Sequence, residues 1–225
     1  MKGVKDHFQK EAEIFDGLIR TLIPHYQEMI EALAEVLPFH PKEHVSVLDL
    51  GSGTGNVSLT IKKRFPQAHI TCLDLAENMI QNTRYKLAEY TEVDYVVGDL
   101  RDLEAVAEYD AVVSSLAIHH LSRKEQQSLY PKIHTALKEG GVFYNADNLK
   151  ASSEHLNQFY LKKWKEFLFQ HHHPDEVEEV WLARHYREDH PQSLEDHLNW
   201  LKESGFRDVD VVWKHYYFGV YGGRK

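Results

Sequence analysis

The apolar run Val45-Ser46-Val47-Leu48 leads straight into Asp49-Leu50-Gly51-Ser52-Gly53-Thr54-Gly55. No other stretch restricts the fold as tightly. A short apolar run closed by glycines at alternate positions reads as a buried strand turning into a helix. The glycines let the turn take positive φ and let a ligand lie against bare backbone. The third glycine is Gly55, and Asn56 stands one position later, where a dinucleotide fingerprint has its glycine. Asp49 sets a carboxylate ahead of the first glycine. There it accepts from an amine and repels a pyrophosphate. The loop suits a nucleoside with a charged amino-acid tail better than a dinucleotide.

Two further acids extend the pattern. The strand His69-Ile70-Thr71-Cys72-Leu73 ends at Asp74, at the spacing of a ribose-binding acid in open α/β sheets. Asp99 follows the strand 93–97 in Gly98-Asp99-Leu100. Three successive strands closed by acids describe one ligand lying across their carboxyl ends.

Strands and helices alternate through this region. Strand 45–50 leads to helix 55–65, strand 69–74 to helix 76–90, and strand 93–98 to a helical turn near 101–107. Strand 109–115 leads to helix 122–138, which ends at Gly140-Gly141, and strand 141–147 follows. The alternation predicts an α/β, doubly wound, mostly parallel sheet. Ahead of it, residues 4–22 and 25–37 have helical periodicity broken at Pro24, a helical N-terminal lid. Residues 151–188 read as wholly helical with a break near Pro174. Helix 193–204 ends at Gly205, and 207–213 with 215–222 reads as an antiparallel C-terminal hairpin, giving seven strands.

With 225 residues and 42% hydrophobic content, the chain can bury one core. We read it as a single domain: lid 1–40, cofactor-binding core 41–148, inserted helices 149–190, and a terminal helix and hairpin 191–225. A formal charge of −9 argues against a broad phosphate-binding surface. Cys72, the single cysteine, fits a small core residue in a reducing compartment. The start of the chain has no apolar signal core, and no run approaches membrane-spanning length. A cytoplasmic protein with no membrane partner is expected.

These motifs resemble the class I S-adenosylmethionine-dependent methyltransferases over about residues 40–223. The carriers are the Asp49–Gly55 loop, Asp74 with Asn78, Gly98-Asp99-Leu100, Ser115–Leu121, the Leu137–Gly141 turn and the terminal hairpin. The resemblance implies a Rossmann-like methyltransferase fold with S-adenosyl-L-methionine as cofactor. It also implies that methionine and ribose lie near the glycine loop, ribose hydroxyls on Asp74 and adenine beside Asp99. Implied cofactor-binding residues are Tyr26, Asp49, Gly51, Ser52, Gly53, Asp74, Leu75, Asn78, Met79, Asp99, Leu100 and Ser115.

A narrower likeness is to the carboxy-S-adenosylmethionine synthases of tRNA wobble-uridine modification. It rests on Ile23-Pro24-His25-Tyr26, Ser193-Leu194-Glu195-Asp196-His197, Gly205-Phe206 and Phe218-Gly219. The glycine loop departs from that branch and has the ordinary methyltransferase form. Such a synthase needs an arginine for the extra carboxylate, and Arg184 and Arg187 fall in the right region. The leading expectation is methyl transfer to a small-molecule acceptor, and the alternative is carboxyl transfer onto the cofactor.

In-line methyl transfer from a sulfonium asks the protein to align the acceptor, exclude water and, for some acceptors, take a proton. His119 and His120, in Ser115-Leu116-Ala117-Ile118-His119-His120-Leu121, are the candidate catalytic residues. One of them could equally pack under the cofactor while the other caps the next helix. Tyr26 either reaches over the cofactor or packs in the core. Asn145 and Asp147 could bind an acceptor, or Asp147 could cap a helix. Tyr160, Trp164, Trp181, Arg184 and Tyr186 are the candidate acceptor-lining residues. The histidines and acids of 171–197 match no closed zinc spacing, so no metal is expected there. No nucleic-acid partner is expected, and aromatic inserted helices would allow a homodimer.

Overall fold

The computed structural model describes residues 15–225. The part 4–14 of the expected first helix lies outside them, and the rest is α1, Phe15–Leu22. Pro24 interrupts the helical run as its missing N–H requires. The chain passes through His25 at φ 56° and resumes as α2, Tyr26–Glu35.

The alternating region follows: β1 (Ser46–Leu50), α3 (Asn56–Arg64), β2 (His69–Asp74), α4 (Glu77–Lys86) and β3 (Val93–Val97). Then come β4 (Tyr109–Ser115), α5 (Arg123–Ala136) and β5 (Leu137–Asn148). The sheet order is β3-β2-β1-β4-β5-β7-β6 with β6 at Arg207–His215 and β7 at Phe218–Arg224. β1 to β5 run parallel, and β7 inserts antiparallel between β5 and β6. Strand order reverses between β1 and β4, the point at which open sheets leave a crevice for a ligand.

Side-chain alternation along β1 decides which layer each residue serves. Val47 joins the core on the face covered by α2 and α3, whereas Leu48 and Leu50 join the core under α5 and α9. Each such fully buried side chain contributes about 2 kcal/mol of transfer free energy. α5 starts at a capping box in which Ser122 accepts from the Glu125 N–H and Glu125 accepts from the Ser122 N–H.

Three expected boundaries shift. Helix α5 stops at Ala136 and β5 begins at Leu137, ahead of the glycines, because Leu137 pairs with Tyr109 across a bulge. The turn near 101–107 shortens to the 3-10 turn Leu100–Asp102. The inserted region starts later, at Glu154, and has the expected break near Pro174: α6 (Glu154–Leu168) ends before it and α7 (Pro174–Glu176) begins at it. A π-helical stretch, Val177–Leu182, and α8 (Ala183–Glu188) follow without a gap. Proline suits a first helical position, where its missing N–H needs no partner. α9, Leu194–Glu203, is capped by Ser193.

His197 of α9 is a buried neutral histidine. Its ring stacks on Tyr221 at 4.8 Å, and its Nδ1 lies 2.6 Å from the Tyr130 hydroxyl. Burial pushes its pKa down from 6.5 to about 4. A depressed folded value means the contribution to stability is complete above the unfolded pKa and is lost as pH falls through about 4. Between pH 6.5 and 4.5, wild type should lose about 2–3 kcal/mol more than His197→Phe in urea unfolding. Equal losses would place the acid sensitivity elsewhere.

Candidate active site

The carboxyl ends of β1, β2 and β4 open into a cleft. Among the cofactor-binding candidates, Tyr26, Asp49, Gly51, Ser52, Gly53, Asp74, Leu75, Met79, Leu100 and Ser115 line it. Gly51 holds φ 74°, and a Cβ there would sit 2.3 Å from the Ala117 Cβ, so only glycine fits between the loop and the turn after β4.

The loop has little left for a phosphate. The Gly51 and Ser52 N–H groups donate to the Leu73 carbonyl at 2.8 and 3.0 Å, and Gly55 N–H to the Ser52 carbonyl at 2.8 Å. The Gly53 N–H donates to Asp74 Oδ2 at 2.8 Å. A pyrophosphate cradle needs such groups free, so the hydrogen bonding agrees with the reading from glycine spacing.

Asp49 is buried and accepts from the Ser58 hydroxyl through Oδ2 at 2.6 Å. Among the described residues its Oδ1 has no partner, nor do the hydroxyls of Ser52 and Ser115. Burial pushes the Asp49 carboxyl up to about 7, with the Asp74 charge adding to it. Asp74 accepts from the Gly53 and Ala76 N–H groups, which leaves each oxygen a lone pair for a hydroxyl. Burial moves its pKa up as well.

Asp99 and Asn78 are not brought into the lining. The Asp99 carboxylate turns to the Arg101 guanidinium at 2.6 Å and accepts from the Arg101 N–H, so Leu100 lines the cleft in its place. Asn78 lies beside Met79 in the first turn of α4.

Several lining residues escape a sequence reading. Phe15 roofs both clefts, and Asn56 donates to the Tyr26 oxygen at 3.3 Å. Asp16, next to Phe15, ties α1 down: it accepts from Thr54 at 2.6 Å and pairs with Lys86 at 2.6 Å. Nothing local to Asp16 signals this latch.

A second cleft adjoins the first, walled by Leu18, Leu22, Trp164, Trp181 and Phe218 and floored by His119, His120, Asn148, Arg184, His185 and Asp189. Of the five candidate acceptor-lining residues, Trp164, Trp181 and Arg184 border this cleft, and Tyr160 and Tyr186 do not. Tyr160 packs against Phe159 and Tyr216 under Lys214, and Tyr186 is 66% exposed. Neighbouring helix positions point about 100° apart, so with His185 turned inward Tyr186 faces solvent.

The two candidate histidines occupy different environments. His119 is buried, with Nδ1 against Asp147 Oδ1 and Nε2 3.5 Å from Asp189 Oδ1. Burial alone would lower its pKa, but the Asp147 and Asp189 carboxylates overcome that and push it up to about 10. His120 is only partly buried and lines both clefts, with Nδ1 3.2 Å from Asp189 Oδ1. Burial and the neighbouring His119 move its pKa down. Asn145 serves the core, donating to the Tyr221 oxygen at 2.8 Å and to Asp147 Oδ2 at 3.2 Å. Asp147 does not line the second cleft itself and backs two residues that do, His119 and Asn148.

Residues 47–141 match a family described as a methyltransferase domain. The sheet is that of the Rossmann-like methyltransferase fold, with an antiparallel C-terminal hairpin. The chain is 27% identical over 217 residues to the carboxy-S-adenosyl-L-methionine synthase of Shewanella sediminis, covering 93% of this chain and 88% of that protein. The enzyme of the same name from Nautilia profundicola is 21% identical over 216 residues, covering 95% and 91%. Among solved structures, a chain of the Haloferax volcanii complex of a methyltransferase with its Trm112 activator superposes with TM-score 0.70 at 18% identity, covering 98% and 96%. The S-adenosylmethionine-dependent methyltransferase SibL gives TM-score 0.65 at 20% identity over 88% of this chain, which spans 55% of that structure.

The cofactor of this domain is S-adenosylmethionine, and the first cleft fits it. An unpartnered buried carboxylate oxygen on Asp49 suits an ammonium, and two unpartnered hydroxyls suit a carboxylate. Asp74 has lone pairs for ribose hydroxyls. No described helix is long and apolar enough to cross a membrane.

Proposed function

We propose that the chain transfers a methyl group from S-adenosylmethionine to a small-molecule acceptor held in the second cleft. The observation that carries this is the junction: Phe15, Leu116 and His120 line both clefts. A donor in the first and an acceptor in the second meet there and nowhere else among the described residues. When bound, the cofactor supplies an activated methyl group on a sulfonium.

The chain's own residues do the rest. Asp49 accepts from the amine of the methionine end and Asp74 from ribose hydroxyls. Trp164, Trp181, Leu18 and Leu22 give the acceptor an apolar wall, and the polar floor of His120, Arg184 and Asp189 orients it. The latch of Asp16 onto Thr54 and Lys86 keeps α1 over the junction and water out. The acidic balance favours a small acceptor over a nucleic acid.

A second reading is carboxyl transfer onto the cofactor, as the names of the synthase relatives suggest. It is supported by Arg184, which lines the second cleft. That guanidinium lies 3.3 Å from Glu188, so much of its charge is already answered, and Arg187 is exposed and paired with the same acid. Denaturing freshly purified protein and weighing the released ligand separates the readings. S-adenosylmethionine or its demethylated product supports methyl transfer, the carboxylated cofactor supports the synthase, and failure to bind any of these in solution contradicts both. Arg184→Met should leave affinity for S-adenosylhomocysteine unchanged by equilibrium titration. Under the second reading it should cut retention of the carboxylated cofactor about 100-fold, the effect of losing a charge-assisted hydrogen bond.

A further inference from the structure

The floor of the second cleft brings together three groups that no sequence spacing connects. His119 and His120 come from the 3-10 turn Ile118–His120 after β4, and Asp189 follows α8. One ligand atom from each lies within 4.8 Å of those of the other two. His119 Nε2 and His120 Nδ1 stand 3.5 Å and 3.2 Å from Asp189 Oδ1. Ligands bonded at about 2.1 Å around one tetrahedral ion stand about 3.4 Å apart.

We propose that His119, His120 and Asp189 hold a divalent first-row transition ion in the floor of the second cleft. Two imidazoles and one carboxylate form a donor set for zinc, iron(II), cobalt(II) or manganese(II), and one poor for magnesium. Three protein ligands leave a position open to the cleft, where an oxygen or nitrogen of an acceptor would bind.

The outer shell supports the assignment. Asp147 accepts from His119 Nδ1, which orients the ring and aims Nε2 at the site. His185 Nδ1 lies 2.8 Å from Asp189 Oδ2 and fixes that carboxylate, while the Tyr217 hydroxyl holds His185 Nε2 at 3.1 Å. Ligand histidines backed by carboxylates, and ligand carboxylates themselves hydrogen-bonded, are the usual outer shell of metal sites. The carboxylates of Asp147 and Asp189 also give the pocket floor negative charge that a divalent ion neutralises. The histidines His171, His172 and His173, the more obvious metal signal in the sequence, take no part in the cluster. The site rests on ligand geometry and is independent of which group the protein transfers.

The test uses the full chain, stripped with a chelator and dialysed against zinc or cobalt(II). Wild type should bind one ion per chain, and cobalt(II) should develop visible ligand-field absorption. His120→Ala and Asp189→Asn should each weaken zinc binding by about 100-fold or more, and Asp147→Asn by about 10- to 100-fold. A His171→Ala/His173→Ala variant, altered at two exposed positions, should bind as wild type. Circular dichroism and urea unfolding check that each variant is folded, and titration of Asp189→Asn with S-adenosylhomocysteine, which uses the first cleft, keeps this result separate from the functional reading. Absence of stoichiometric binding by wild type overturns the proposal, since the cluster is then an imidazolium clasped by two carboxylates. Binding that survives in His120→Ala and Asp189→Asn, or is lost only in the surface variant, overturns it equally.

Discussion

Asp49→Asn should weaken binding of S-adenosylhomocysteine about 10- to 100-fold at pH 8, the effect of replacing a charged acceptor for an ammonium by a neutral one. The loss should carry a pH signature. Burial holds the wild-type carboxyl at about 7 in the ligand-free chain. Wild-type affinity should therefore climb as pH rises through 7 and level off above it, while the variant stays flat. Stability should move the other way. A carboxyl whose folded pKa is raised gives its full contribution below its unfolded value, and that contribution is lost as pH rises through the folded value. The ligand-free variant, with no charge to bury, should then resist urea better than wild type at pH 8. Calorimetric titration and urea unfolding at pH 6 and 8 check both. A variant that binds as tightly as wild type would show that the amine does not sit on Asp49.

His119→Leu should cost about 3–5 kcal/mol of stability at pH 7, because it strands two buried carboxylates without their cation. Asp147 and Asp189 are both held below the usual carboxylate range, against the upward push of burial, chiefly by His119. The deficit should shrink toward pH 4, where the stranded acids take up protons, whereas a simple packing defect would cost the same at both. Urea unfolding in the presence of a chelator measures this without any contribution from bound metal. A loss below about 1 kcal/mol would remove His119 from the centre of the network.

The parts of the fold legible in the sequence are those set by neighbours along the chain. Apolar runs ending in Asp49 and Asp74 mark strand ends, and Gly51 marks a turn where a Cβ would strike Ala117. The second cleft depends on pairings between distant segments. Asp189 meets His119 across the insertion, and Asp16 meets Lys86 across two helices and two strands. Neither acid stands out locally. Asp99 follows β3 as its motif implies, and Arg101, two residues on, pairs with its carboxylate, a contact that the motif does not signal. Among the aromatics, helix phase decides, and composition alone does not reveal it. Trp164 turns inward and its Nε1 donates to the Leu22 carbonyl at 2.7 Å, while Tyr160, one turn earlier, packs on the terminal hairpin.

The first cleft should bind S-adenosylmethionine with its sulfonium at the junction with the second. A crystal structure with S-adenosylhomocysteine tests this most directly. The amine should lie on Asp49, the ribose hydroxyls on Asp74 and the sulfur facing His120 between Phe15 and Leu116. A sulfur turned toward Leu100, away from the second cleft, or a ligand bound outside the first cleft, would contradict it.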